Sequence, residues 1–381
     1  MLSHIASREA PTGAERSLVL LAAGLRGQGF EVTVGAPGPW ALEPELHAAG
    51  VRVERAGCRL AWLTYPDRRS PFEAWARWAR FAAPDPERRR LRAWLRAQAP
   101  DVVHVNCLPH LGGAAAARSV GAPVVWHLRE IVPPGLRRRW LAARLARHAT
   151  RIVAVSEAVG VWVREEGLGG RLVVVHNGVE PPASLPDPVA ARRELGLPGD
   201  GYLVGLFGQL VPHKGGLEFV RAARRALVDE PGLRFVLAGA GPDTFLRRLR
   251  DEASDDAPRI HLLPPRPTAN LLLAAADAVC LPTMTPDPFP RSVLEAMAAR
   301  RPVVAFRGGG VAEMVRDGEQ GFLLSPGDVD GLAARFVELA REPARGRVLG
   351  EAGRRRVERE FTLVRHVERM SEVLRGAGGM S

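Results

Sequence analysis

The sequence predicts an α/β protein of two domains, each a parallel sheet wrapped by helices. At 381 residues the chain is too long for a typical single domain and comfortable for two. Short apolar runs alternate with longer amphipathic segments, the rhythm of βαβ units. That rhythm runs twice, with a stretch rich in proline and glycine between the two series.

In the first series "FEVTV", "DVVHV", "PVVWHL", "RIVAV" and "LVVV" read as strands, and only "LSHIAS" is available as a strand before them. Thr12 and Glu15 have capping-box spacing, which fixes a helix start. The stretch "NGVEPPASLPDPVAARRELGLPGDG" reads as a linker. The second series is "YLVGLFG", "RFVLAG", "RIHLL", "AVCL", "PVVAF" and "GFLL". A charged amphipathic helix follows at about 345–375, and its pattern does not say where it packs. In sheets of this kind ligands sit beyond the carboxyl ends of the strands, so the loops there are where the chemistry is sought.

Hydrophobic content of 46% argues against disorder, and no apolar run approaches the roughly 20 residues of a membrane span. The start has no signal-peptide pattern. Cys58, Cys107 and Cys280 lie far apart without metal or redox spacing, so they read as free thiols of a reducing cytosol. The net charge is +11. Residues 1–180 hold 25 arginines against 16 acids, and the remainder is nearly balanced. The basic excess suits an anionic substrate, membrane or nucleic acid, or is simply solvated; no nucleic-acid-binding module is legible.

Four loops carry candidate chemistry. Gly13 keeps the backbone bare at the helix start after Thr12, where an anion can approach the amides. In "LFGQLVPHKGGLEF" a strand ends at Gly208, and Lys214, the only lysine of the chain, precedes two glycines and a helix. A point charge beside free amides makes a diphosphate clamp. "VLAGAGPDTFLRRL" is a tight turn with Gly241, but Thr244 breaks the dinucleotide fingerprint. In "PDPFPRSVLEAMAARRPVVAF" Pro290 suits the first helical position. The amides of Arg291, Ser292 and Val293 then lie free, with Asp287 before the helix and Glu295 one turn inside it. An unpaired acid among the apolar neighbours of Glu295 is costly, so a partner is expected. His127 ends an apolar strand, where a histidine serves either packing or a ligand, and Arg129 and Glu130 follow it.

In order along nearly the whole chain, "TGAERSLVLLAAGLRGQGFEV", "PVVWHLRE", "VVVHNGVE", "GQLVPHKG", "AGAGP", "DPFPRSVLEAMAARRPVVAFRGGGVAEMV" and "GEQGFLLSPGD" resemble the retaining glycosyltransferases of family 4, the group 1 glycosyltransferases. The resemblance implies the GT-B fold, two Rossmann-like α/β domains facing a central cleft. It implies an N-terminal acceptor domain over 1–180, a donor domain over 181–355 and a C-terminal helix over 356–381 that crosses back. Glu295 would bind the donor ribose, Asp287 the transferred sugar and Lys214 the diphosphate. His127 would stand near the reacting sugar, its backbone or ring on a sugar hydroxyl. Thr12, Gly13, Gly208, Gln209, Gly241, Phe289, Pro290, Arg291, Ser292, Val293, Gly309 and Gly310 would line the donor, and Arg129 and Glu130 the acceptor. Three departures stand out. Gln209 takes the place of an arginine, Asp287 is one methylene shorter than the usual glutamate, and Thr12 replaces a glycine. Arg291 is the candidate to restore the charge missing at Gln209.

The implied reaction is transfer of a hexosyl group from a UDP- or GDP-sugar co-substrate to a glycan, a lipid-linked glycan or a small molecule. It would proceed with retention and without cofactor or metal, in bacterial polysaccharide or glycolipid synthesis. A weakened nucleotide-sugar-binding protein and a GT-B epimerase are the alternatives. The expected location is cytoplasmic, peripheral on the inner membrane face. The segment 62–96 interleaves Trp62, Trp75, Trp78 and Trp94 with nine arginines. It reads either as a dock on anionic lipid or as tryptophans packed inward beneath solvated arginines.

Overall fold

The computed structural model describes residues 1–3, 12–56, 86–266 and 269–379. The chain forms two units, one of Met1–Gly178 with Leu363–Ser381 and one of Val179–Thr362.

The first unit holds β1 (Thr33–Ala36), β2 (Arg52–Arg55), β3 (Val103–Asn106), β4 (Val124–Leu128), β5 (Arg151–Ala154) and β6 (Leu172–Val174). β1 pairs with β2, and β3 to β6 pair in sequence order, all parallel. Leu2 forms parallel bridges to Gly35 and to Val105, which places it between β1 and β3. Helix Gly13–Gly27 lays Leu18, Leu21 and Leu25 on one face of the sheet. The final helix, Leu363–Gly378, adds Val367, Met370 and Leu374 to the same core. Their spacing of three and four puts all three on one stripe. A Cβ on Gly24 would stand 2.4 Å from Val367 Cγ2, so a glycine there lets the two helices close up.

The second unit holds β7 (Tyr202–Phe207), β8 (Leu233–Ala238), β9 (Ile260–Leu263), β10 (Ala278–Leu281), β11 (Val303–Phe306) and β12 (Gly321–Leu324). Their order is β12-β11-β10-β7-β8-β9, parallel throughout. This is the doubly wound order of dinucleotide-binding sheets, and its winding reverses between β7 and β10. β10 and β11 are buried along their whole length, as expected of strands covered on both faces. Phe219, Phe235 and Phe336 pack together with ring centroids 5.6 to 5.9 Å apart.

Three features differ from the sequence reading. The stretch read as a linker contains helix Pro188–Glu194, started by Asp187, whose carboxylate accepts from Ala190 N, and by a proline at the first turn. Its Arg192 is buried, and it donates to the carbonyls of Ala275, Gly199 and Gly201 and to Asp277. The single C-terminal helix expected at 345–375 is two helices, Pro343–Glu360 and Leu363–Gly378. The break falls where Val179 N donates to the carbonyl of buried Phe361 and Val179 bridges Thr362. The return to the first unit thus comes at Leu363. Helix Pro343–Glu360 stays with the second unit because Gly350 and Gly353 let it lie against Arg300 and Met297.

Candidate functional site

At the switch point of the second unit two loops leave adjacent strands. The loop after β7 runs through exposed Gly208 and Gln209 to a short turn, Pro212–Lys214, and into helix Gly216–Asp229. Gly215 is left-handed at φ 78, and a Cβ on it would stand 1.8 Å from the Pro282 carbonyl oxygen. The loops after β7 and β10 therefore touch through bare backbone. Met284 N donates to His213 O at 3.0 Å and fixes that contact. The turn after β8 presses on the same loop. A Cβ on Gly239 would stand 1.6 Å from Gly208 O, and one on Gly241 would stand 2.0 Å from Leu210 O. Gly241 is thus a close-approach glycine that supports the loop of Gln209.

The Lys214 ammonium is held by the Asp287 carboxylate, a contact across 73 residues of sequence. Burial and then the Lys214 charge lower the pKa of His213, with Asp287 opposing. One helical turn on, Arg291 Nε donates to Glu295 Oε1 at 3.0 Å and its Nη2 stands 2.9 Å from the same oxygen. Arg291 Nη1 is buried and has no hydrogen-bond partner among the described residues. The structure thus brings Lys214, Asp287, Arg291 and Glu295 onto two adjoining loops as two opposite-charge pairs.

Helix Arg291–Ala298 starts one residue later than the sequence suggested. Pro290 is the N-cap, at φ −69 and ψ 121, and no side chain caps the helix. Val293 N donates to the Pro290 carbonyl at 3.2 Å, so it is not among the free amides expected there, and the Val293 side chain is core. Phe289 is likewise buried, its ring edge on Phe361 with centroids 5.6 Å apart. It anchors the loop and offers no surface. The turn of Gly309 and Gly310 grips the same loop from behind. Gly310 N donates to Asp287 O at 2.9 Å, and a Cβ on Gly309, which has φ 55, would stand 2.1 Å from that oxygen. Sequence reasoning missed Thr283, whose buried hydroxyl ends β10 without a partner among the described residues. The signal was there: a polar side chain directly behind the run "AVCLP".

In the first unit Thr12 and Glu15 close the capping box. Thr12 N donates to Glu15 Oε2 at 2.7 Å, and Glu15 N to Thr12 Oγ1 at 3.3 Å. Glu15 is buried and also accepts from Trp40 Nε1 at 2.8 Å, a tether the sequence gave no sign of. Gly13 is exposed at the helix start.

His127, two residues from core residue Val125 on β4, shares its face, so its ring lies on the side covered by the final helix. It is fully buried, with Nδ1 3.1 Å from His104 Nε2 and the His366 ring 6.2 Å away. Burial, then Arg129, His104 and His366, depress its pKa well below the usual value. Arg129 and Glu130, which follow it, are tied into the same unit. Arg129 donates to Asn106 Oδ1 at 2.9 Å and Asn177 Oδ1 at 2.7 Å. Glu130 Oε2 accepts from the amides of Leu108 and Arg129, and burial raises its pKa. Both are buried and brace the ends of β3 and β4. Of the segment 62–96, residues 62–85 lie outside the described residues. Trp94 turns inward, donating from Nε1 to Glu54 at 2.6 Å.

Among the described residues no group of three histidines, cysteines or acids is arranged to hold a metal ion, and no helix is long and apolar enough to cross a membrane.

A family model for the glycosyl transferase 4-like domain matches residues 12–178, and one for glycosyl transferases group 1 matches residues 201–342. The D-inositol 3-phosphate glycosyltransferase of Mycolicibacterium paratuberculosis is 40% identical over 184 residues, which are 46% of this chain and 40% of that protein. The chain thus spans less than half the length of that relative. Anabaena Alr3699/HepE, solved with UDP and glucose, superposes with a TM-score of 0.82 at 24% identity, covering 98% of both chains. The sucrose-phosphate synthase of Thermosynechococcus elongatus gives 0.76 at 20% identity, covering 100% of this chain and 98% of its own. With two units of Rossmann type and both family models in their expected order, the chain belongs to the group 1 glycosyltransferases of family 4, on the GT-B fold.

Proposed function

We propose that the protein moves a hexosyl group from a nucleoside diphosphate sugar to a glycan, lipid-linked glycan or small-molecule acceptor, with retention at the anomeric carbon. The observation that carries this reading is the meeting of Lys214, Asp287, Arg291 and Glu295 at the switch point of the second sheet. Lys214 and Arg291 offer cations to the departing diphosphate, and the starts of helices Gly216–Asp229 and Arg291–Ala298 offer backbone amides. Charge that grows on the leaving phosphate as the glycosidic bond breaks is stabilised by these fixed donors. Asp287 and Glu295 accept from hydroxyls of the sugar and the ribose. Retention rests on the family resemblance, and in this reading the leaving phosphate itself takes the acceptor proton. UDP-glucose is the first donor to try, because a structure of Alr3699/HepE holds it.

A second reading has its own support. Both cations are held by carboxylates of the chain itself, and Gln209 stands where a further positive charge is expected. Those features suit a protein that binds a nucleotide sugar and transfers nothing. Thermal shifts against a panel of UDP- and GDP-sugars, followed by measurement of released nucleoside diphosphate, separate the two. A transferase releases it slowly even to water; a binder shifts in melting and releases none; an epimerase alters the sugar and releases none. Lys214→Ala and Glu295→Ala each abolish release while the protein stays folded, since one lost charged contact costs about 2–4 kcal/mol. A folded variant with near wild-type release overturns the site.

A further inference from the structure

The first unit carries a charged face that the donor chemistry does not use. Helices Pro86–Gln98, Leu111–Ser119 and Leu136–His148 pack in turn beside one another. Helix Leu136–His148 has five arginines and no acid, and helix Pro86–Gln98 has five arginines and one acid. Burial, and then the charges of Arg147, Arg144, Arg118 and Arg88, lower the pKa of His148. Arginines from all three helices thus lie within electrostatic reach of His148.

None of Arg88, Arg118, Arg144 or Arg147 is in an ion pair among the described residues. The second unit behaves differently. There Arg221 is paired with Glu252, Arg225 with Asp330, Arg300 with Glu351, Arg345 with Glu338 and Arg359 with Glu360. On helix Leu136–His148 itself Arg138 is paired with Glu165 and Glu166, so the bare charge on which the face rests is that of Arg88, Arg118, Arg144 and Arg147. Like charges crowded together destabilise the fold that holds them, and a counter-charge from outside relieves the cost.

The same face has an apolar tip. Leu136 is 83% exposed, the most exposed large apolar residue among those described, and it opens its helix behind exposed Pro133, Pro134 and Gly135. Leu136, Trp140, Arg144 and His148 follow one another at intervals of four and so form a single row on the helix. Arg144 lies over the Trp140 ring at 4.8 Å. A row that runs from a bare leucine through an aromatic to cations matches the gradient from acyl chains to headgroup phosphates. A nucleic-acid backbone offers phosphate but no apolar layer for the leucine.

We propose that this face docks on an anionic phospholipid bilayer, with Arg88, Arg118, Arg144 and Arg147 against the headgroup phosphates and Leu136 entering the interface. The surface does not depend on the donor site and stands whether or not the protein is a transferase. It shares Arg88 with the tryptophan-rich segment 62–96 but not its tryptophans, since the described Trp94 turns inward.

The test is co-sedimentation of the full chain with vesicles of phosphatidylcholine alone and of phosphatidylcholine with phosphatidylglycerol, at low and high salt. Binding is expected only to the anionic vesicles and is expected to fall with salt. The triple variant Arg118→Gln, Arg144→Gln, Arg147→Gln loses affinity roughly a hundredfold, at about fivefold per charge. Leu136→Gln weakens binding to the anionic vesicles and leaves the salt slope unchanged. All these positions are on the surface, so wild-type melting temperatures certify folding. Negligible binding to both vesicles, equal binding to both, an unaffected triple variant, or duplex DNA displacing the vesicles at equal phosphate would each overturn the proposal.

Discussion

Asp287→Asn is the most informative single change, because it should move binding and turnover in opposite directions. If a diphosphate is to sit on Lys214, the ammonium must first leave or share the Asp287 carboxylate that holds it. Two unit charges about 4 Å apart at an effective dielectric of about 20 attract by roughly 4 kcal/mol. The Asp287 side chain is 8% exposed, but that of Lys214 is 26% exposed. Screening and the ammonium's access to water reduce the cost of separating them to about 1–2 kcal/mol. Asparagine removes the competing anion and its repulsion of phosphate while keeping the shape of the loop. UDP or GDP should then bind roughly 5- to 30-fold more tightly. Transfer should nevertheless fall, because a neutral amide accepts more weakly from a sugar hydroxyl than a carboxylate does. Calorimetric titration with the free nucleotides at fixed ionic strength gives the first quantity, and nucleotide release from the sugar donor gives the second. A folded Asp287→Asn protein that binds the diphosphate no more tightly than wild type would refute the competition and take Lys214 out of the phosphate site.

Gln209→Arg, on the exposed loop that leads to Lys214, should tighten diphosphate binding by about 1 kcal/mol in the same titration. Unchanged affinity would mean that position 209 does not face the phosphates. Gly309→Ala should destabilise the second unit by about 1–3 kcal/mol in urea melts and impair donor binding, since its φ is 55 and its Cβ would drive into the Asp287 carbonyl. Wild-type behaviour in both assays would show that the turn yields easily. Burial is the leading cause that depresses the pKa of His104 and His127; for His127 Arg129 is next, and for His104 the terminal amine and then Arg129. The unfolded chain therefore takes up protons near pH 6.5 that the folded chain refuses, and stability falls as pH drops below that value. The slope reaches about 1.4 kcal/mol per pH unit for each histidine; His104→Asn should flatten it in urea melts between pH 8 and 5, and an unaltered slope would count against the pair.

The strands of the second unit were legible because its sheet is parallel and covered, which writes them as continuous apolar runs such as "AVCL" and "PVVAF", whereas β2 of the first unit, "RVER", is not buried and carries no such run. Helix Pro188–Glu194 was not, because its start signals, Asp187 and Pro188, lie in a stretch whose other prolines and glycines spell loop. The break between the last two helices was equally hidden. It is made by a tertiary bridge from Val179 to Thr362, and local propensity carries no trace of a partner so far away. Strand parity explains His127. Its place near a carboxyl end was readable, but the direction of its ring follows from which sheet face the final helix covers, and pattern alone left that helix unplaced.

The charges of the candidate site divide along the same line. Arg291 and Glu295 stand four apart on one helix, so their pairing is available from spacing alone, and Arg291 is not a free replacement charge. Lys214 and Asp287 are another matter. Their contact requires β7 and β10 to be neighbours, which holds only once the doubly wound order is known. Given that order, the pairing follows from electrostatics: a half-buried ammonium next to helix amides has no local anion, and Asp287 is the carboxylate delivered by the adjoining loop. The same geometry explains why the glycines at 215, 239, 241, 309 and 310 cluster around these residues. Each stands where two backbones approach too closely for a Cβ, so they hold the loops in register and leave the charged side chains to carry the chemistry.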